Sequence, residues 1–212
     1  MTGVQTCALP IWYGIRLIVL YNLTAVAFMG LIPFYAADLF DGSTGLAGTL
    51  ASLQGLGAIV GGVVVTALIA RFDRSTVLVG VVVALTVWLV AFGLAPSRPV
   101  AMGSVFVLGG CATAYFLSTT ALIQRDAPAS RRGRVLSLQQ GAGGTTYGLG
   151  LMLVGGLADL TSIRVAFVVG ALLMCVGFAL INLRTGHWRE SANGEMPAPT
   201  EEWLTADSAR QG

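Results

Sequence analysis

Apolar residues run along this chain in six long stretches that short polar segments separate. A bilayer core about 30 Å thick requires roughly 20 apolar residues in a helix. Open strands cannot satisfy their backbone polar groups in lipid. We therefore predict an all-α fold, a polytopic membrane protein with six transmembrane helices. Their approximate bounds are residues 15–37, 46–70, 76–95, 100–123, 135–158 and 163–183.

The composition agrees with this pattern. The chain of 212 residues is 55% apolar and 10% charged, whereas an ordinary soluble domain is about 25% charged. Its mean hydropathy is +0.80. A soluble protein of this size cannot hide so much apolar surface, because its exterior must be polar. These values exclude a soluble enzyme, a disordered chain and a nucleic-acid binder.

The two ends differ from the apolar stretches. Residues 1–11, M-T-G-V-Q-T-C-A-L-P-I, resemble the translation of a sequencing adapter. We predict that they are a non-native artefact and that the gene continues upstream of Trp12; the alternative is a short native leader. Residues 12–184 form the predicted transmembrane domain. Residues 185–212 hold all four glutamates and two prolines, which is typical of a disordered, solvated tail.

The arginines are divided unequally between the two sides of the predicted helices. Ten of the twelve fall on one side, which includes Arg71, Arg74 and the segment 131–134, whereas Arg98 and Arg164 fall on the other. Cytoplasmic loops are enriched in arginine and lysine. The pattern predicts that both ends of the six-helix unit, and the tail, are cytoplasmic. We expect a multi-pass protein of a bacterial inner membrane.

The chain offers little chemistry within the spans. No span has a carboxylate at its middle, the one histidine is His187 in the tail, and the three cysteines are far apart. An intramembrane enzyme needs a cluster of such groups for acid–base or metal chemistry. A P-loop ATPase needs a glycine-rich loop with a lysine, and this chain has no lysine. We predict no enzyme activity, no metal site and no cofactor.

Several polar residues interrupt the apolar stretches. Polar residues in spans usually face the bundle interior or a water-filled cavity. The alternative is hydrogen bonding between helices, worth about 0.6 kcal/mol on average. We favour that alternative for Asn22 and Gln54 and leave both open for Thr146 and Tyr147. The candidate residues of a substrate cavity are Asn22, Gln54, Tyr115, Thr145, Thr146 and Tyr147.

Glycine is concentrated in the second and fifth stretches. The pairs Gly57/Gly61 and Gly144/Gly148 have the four-residue spacing that lets helix backbones approach closely. We interpret both pairs as helix-packing positions and not as ligand contacts.

Three motifs resemble those of the major facilitator superfamily. R-R-G-R-V-L-S-L at 131–138, after Ala127-Pro128, resembles the start of its eleventh helix, and G-G-L-A-D at 155–159 the end of that helix. A-R-F-D-R at 70–74 resembles the loop after the eighth helix. There the family pattern is Asp-Arg-x-Gly-Arg, so Ala70 and Asp73 depart from it. The chain is most similar to the C-terminal half of the branch that contains enterobactin-exporter-like and drug-efflux proteins.

The resemblance implies a secondary-active exporter of small amphipathic molecules such as drugs or siderophores. Such transporters bind substrate near the midplane between two six-helix halves. The chain is then a fragment, and its partners are membrane lipids, a small-molecule substrate and the missing N-terminal half, with no nucleic acid. In that family the third and sixth helices of each half face lipid. The loop arginines expected to act in gating are Arg71, Arg74, Arg132 and Arg134.

Two other functions are compatible with the sequence. One is a membrane-embedded accessory or assembly subunit without transport of its own. The other is a homodimeric half-transporter, in which a second copy supplies the other half.

Overall fold

The computed structural model describes residues 3–26, 28–40, 44–126 and 132–184, and within these ranges the chain is helical with no strand. The helices are α1 (Gly3–Thr24), α2 (Phe28–Phe40), α3 (Thr44–Ile69), α4 (Arg74–Gly93), α5 (Arg98–Asp126), α6 (Arg132–Leu160) and α7 (Ile163–Arg184). The predicted all-α fold of a polytopic membrane protein is confirmed.

Five of the six predicted stretches correspond to single helices, α3 to α7, whose bounds lie close to the predicted ones. Among the described residues, five spans are long and apolar enough to cross a membrane: the combined segment Tyr13–Asp38 and helices α3, α4, α5 and α7. Helix α6 is long enough, but its two glutamines, two threonines and eight glycines lower its hydropathy.

The first predicted span is confirmed as an apolar segment long enough to cross a membrane, Tyr13–Asp38. It is not one continuous helix, because the helix is interrupted between α1 and α2. The backbone N–H groups of Ala25 and Val26 both donate to the carbonyl of Tyr21, at 2.9 and 3.0 Å. The Val26 bond spans five residues, so the regular four-residue ladder of an α-helix ends there. Helix α1 also begins at Gly3, well before the predicted start at residue 15. The non-native origin of residues 1–11 stays a prediction.

The loop predicted at residues 124–134 is shorter than expected. Helix α5 continues to Asp126 and α6 begins at Arg132, so both helices extend into the predicted loop. Residues 127–131, with Arg131, lie outside the described part of the chain, as does the predicted tail at 185–212.

Helices α3 and α5 cross with their backbones in direct contact. A Cβ atom on Gly57 would overlap the carbonyl of Phe106, and one on Gly61 would overlap the backbone of Gly110. The packing role predicted for this pair is confirmed. The close-packing role predicted for Gly144 and Gly148 is wrong within the described structure. A Cβ atom on either glycine would meet nothing within 4 Å.

An aromatic cluster joins α2, α4 and α7 on the other side of the bundle. The ring of Tyr35 stacks on Phe92 with centroids 4.2 Å apart, and Phe167 lies 5.6 Å from both. The Tyr35 hydroxyl donates to the Phe92 carbonyl. Because α4 and α7 pack here, 44% and 33% of their most apolar windows are buried, whereas α3 has only 11%. Helix α3 is thus the most exposed of these three.

Candidate functional site

A cavity of about 450 Å³ lies between α1, α2, α5 and α6. It sits near the middle of α5 and beside the break between α1 and α2, which places it at mid-depth of the bundle. Its lining combines aromatic, amide and small side chains: Ile18, Tyr21, Asn22, Val26, Met29, Ala112, Thr113, Phe116, Gln139, Gln140, Gly143, Gly144 and Tyr147.

Two glycines of α6 keep this cavity open. A Cβ atom on Gly144 would meet nothing within 4 Å, so a side chain there would enter free space. A Cβ atom on Gly143 would lie 3.7 Å from Nδ2 of Asn22 and 3.8 Å from Cγ2 of Ile18. These are ordinary contacts, and they show that α6 lies directly opposite α1 across the cavity. Gly144 therefore provides volume to the cavity, whereas Gly143 lies where α6 meets α1.

Gln139 is the most distinctive polar residue of the lining. Its side chain is only 2% exposed, and its Nε2 donates to the Oγ1 of Thr120 at 2.8 Å. Its Oε1 is buried and has no hydrogen-bond partner among the described residues. A buried polar group left unpaired costs about 1–3 kcal/mol.

Asn22 and Tyr147, both predicted for the cavity, line it from opposite sides. The Nδ2 of Asn22 donates to the carbonyl of Ile18 at 2.8 Å, one turn earlier in α1. The Tyr147 hydroxyl reaches toward α2, since a Cβ atom on Gly30 would lie 3.2 Å from it. Tyr147 therefore closes the side of the cavity next to the helix break.

Tyr115 does not line the cavity but lies behind its wall. It is fully buried, stacks on Tyr21 with ring centroids 4.5 Å apart, and donates from its hydroxyl to the carbonyl of Leu17 at 2.8 Å. Tyr115 therefore fixes the ring of Tyr21, which does face the cavity. Tyr21 was not among the residues predicted from the sequence.

The other three predicted residues are not brought into the cavity. The Thr145 hydroxyl donates to the carbonyl of Gly141 at 3.0 Å, and that of Thr146 to Ala142 at 2.6 Å. Both hydroxyls thus bond one turn back within their own helix. Gln54 lies on α3, where its backbone carbonyl faces Gly109 at the α3–α5 crossing.

Sequence reasoning missed Gln139 as a site residue, although a signal for it was present. Gln139, Gly143 and Tyr147 are spaced by four residues, and such positions share one face of a helix. Thr146 is seven residues from Gln139 and shares that face, whereas Thr145 does not. The polar residues of the span indicated the right helix, but their spacing alone does not separate Gln139 from Thr146.

The lining has no charged side chain. Within the described ranges no group of three or more His, Cys, Asp or Glu side chains is placed to hold a metal ion. The described lining offers amide and hydroxyl groups for hydrogen bonds, together with aromatic surfaces. This favours reversible binding of an uncharged or weakly polar molecule.

Three of the arginines predicted for gating are exposed at one end of the bundle and do not line the cavity. Arg71 and Arg74 are exposed where α3 ends and α4 begins, and Arg134 is exposed in the first turn of α6. Arg132 begins α6, and its side chain lies outside the described part of the structure.

A comparison with known families places these observations in context. The sequence profile of the Major Facilitator Superfamily matches residues 17–210, which includes nearly all the described helices. No curated protein matches this chain.

Proposed function

This chain belongs to the Major Facilitator Superfamily and is a multi-pass membrane transport protein, and from that premise we propose that it exports small amphipathic molecules by secondary-active transport. Drugs and siderophores are the proposed substrate classes, as in the enterobactin-exporter-like branch that its motifs resemble. Members of this superfamily are generally transporters and not enzymes.

The observation that carries this proposal is the unpartnered Oε1 of Gln139 in the cavity between α1, α2, α5 and α6. The volume of about 450 Å³ falls within the range of about 300–1,000 Å³ that is usual for small-molecule sites. Tyr21 and Phe116 offer aromatic surfaces to the apolar part of a substrate. A rotation of the buried Gln139 side chain toward the cavity would let its unpartnered oxygen accept a hydrogen bond from the polar part. A substrate with both parts is amphipathic.

Orientation and partner belong to the same proposal. The exposed Arg71, Arg74 and Arg134 support a cytoplasmic position for their end of the bundle, opposite the end of Arg98 and Arg164. We place the protein in a bacterial inner membrane, with a second six-helix half completing the substrate site. The arginines at the cytoplasmic end would act in gating, since they lie away from the cavity.

The test is saturable binding of tritiated chloramphenicol to the purified 212-residue chain in detergent, measured by equilibrium dialysis. This probe is small and uncharged, and it carries an aromatic ring with hydroxyl and amide donors. We expect Gly144→Leu to abolish saturable binding, because its side chain fills the cavity without displacing neighbours. The matched control is Gly148→Leu, four residues along α6, which also projects into open space but does not line the cavity.

A second variant tests the hydrogen bond directly. Gln139→Leu removes the buried acceptor and should weaken binding by about tenfold, which corresponds to one hydrogen bond. Binding that is the same in the parent and in Gly144→Leu, or the absence of saturable binding to the parent chain, would contradict this assignment of the substrate site.

A further inference from the structure

A second cavity of about 490 Å³ forms a groove on the other face of α5, between α3 and α4. Its floor is α5, from Phe106 to Ala114, and its walls are the facing sides of α3 and α4. It shares no lining residue with the cavity of the proposed substrate site.

The groove exists because α3 and α4 both pack extensively on α5 and contact each other only slightly. The glycine contacts draw α3 onto α5 until the two backbones touch at Gly57 and Gly61. On the opposite wall, Gly80 of α4 leaves the groove wide, since a Cβ atom there would meet nothing within 4 Å. The close crossing of α3 and α5 thus leaves the groove between α3 and α4.

The groove is apolar along its length. Its described lining is aliphatic, aromatic or small, apart from Thr76 and the thiol of Cys111. The stretch of α3 wall from Gly57 to Leu68 measures about 16 Å at 1.5 Å per residue. One leaflet of a bilayer core about 30 Å thick measures about 15 Å. The groove therefore matches the hydrocarbon depth of one leaflet.

The mouth of the groove is positively charged. Phe72 and Thr76 line this end, and the exposed Arg71 and Arg74 adjoin them in sequence. Asp73 lies between the two arginines and leaves a net positive charge on the segment.

We propose that this groove binds an anionic glycerophospholipid, with one acyl chain between α3 and α4 and the phosphate at Arg71 and Arg74. The apolar length of the groove matches an acyl chain. The positive charge at one end of the groove matches an anionic phosphate. Basic pockets between transmembrane helices bind anionic headgroups in the same way. The site then fixes the segment between α3 and α4 to the membrane surface.

The experiment is native mass spectrometry of the purified 212-residue chain with dioleoyl-phosphatidylglycerol or dioleoyl-phosphatidylcholine. We expect the parent chain to retain phosphatidylglycerol in preference to phosphatidylcholine. Arg71→Gln and Arg74→Gln should each lower that retention by about fivefold. Arg16→Gln is the matched control, since Arg16 is also exposed but does not adjoin the groove.

A second pair of variants tests the acyl chain. Gly80→Leu fills the groove without a clash and should lose most of the retained lipid. Gly103→Leu, which also projects into open space but outside the groove, should not. Equal retention by the parent and the Arg71, Arg74 and Gly80 variants would overturn the proposal. A persistent dimer with no retained lipid would also overturn the proposal, because that result would assign the groove to a second copy of the chain.

Discussion

Gly61 of α3 lies so close to the backbone of Gly110 on α5 that no space remains for a side chain at position 61. The contact joins two membrane helices without interdigitating side chains, as small residues allow in lipid. Because of this contact, even one added methyl group at Gly61 would push α3 and α5 apart.

We predict that Gly61→Ala destabilises the bundle by about 1–3 kcal/mol, the usual cost of overpacking. The added methyl group meets backbone and not a flexible side chain, so α3 and α5 must separate. The measurement is unfolding in mixed micelles with increasing sodium dodecyl sulfate. Gly62→Ala is the control, because its Cβ atom would meet Thr113 at an ordinary 3.7 Å. Equal loss of stability in both variants would refute the close crossing.

A second prediction concerns the hydrogen bond from the Tyr13 hydroxyl to Oδ1 of Asn182, which joins α1 to α7 at 2.8 Å. Tyr13→Phe and Asn182→Leu should show a coupling energy of about 0.6 kcal/mol and no more than about 1.7 kcal/mol. A double-mutant cycle in the same unfolding assay measures it. A coupling energy of zero would mean that the two side chains do not bond in the folded protein.

The helices could be predicted from the sequence to a large extent, because hydropathy over twenty residues reports directly on membrane insertion. The break after Thr24 could not, since Ala25 and Val26 are compatible with a continuous helix. The wide turn at Tyr21 depends on contacts that form only in the assembled bundle. Pro33, the residue that most suggests a break, lies inside α2.

The candidate site was predictable only in part. Asn22 and Tyr147 were found because polar groups in spans are rare. Thr145 and Thr146 were chosen on the same ground, although their hydroxyls bond within α6. The position of Gln139 beside Thr120 depends on how α5 and α6 meet, and a hydropathy pattern does not encode that contact.

The third prediction tests the proposed orientation. In a background with alanine at all three cysteines, Thr161→Cys should react with an impermeant maleimide on intact cells. Asp73→Cys should react only after permeabilisation. Both positions are exposed and lie at opposite ends of the bundle. Labelling of Asp73→Cys but not of Thr161→Cys on intact cells would reverse the topology.

The last prediction is that the 212-residue chain binds substrate but does not transport it alone. Transporters of this superfamily enclose the substrate between two six-helix halves, whereas the cavity here is bounded by helices of one six-helix unit. Its described lining also contains no carboxylate or histidine to carry a proton.

The assay is uptake of tritiated chloramphenicol into liposomes that contain the purified chain and an imposed proton gradient. We expect no flux that depends on the gradient, although equilibrium dialysis detects binding to the same preparation. Liposomes without protein and liposomes with the Gly144→Leu variant set the background. Gradient-dependent flux by the parent chain that is lost in Gly144→Leu would contradict this prediction. It would instead favour the homodimeric half-transporter, because a second copy would then have to close the open side of the cavity.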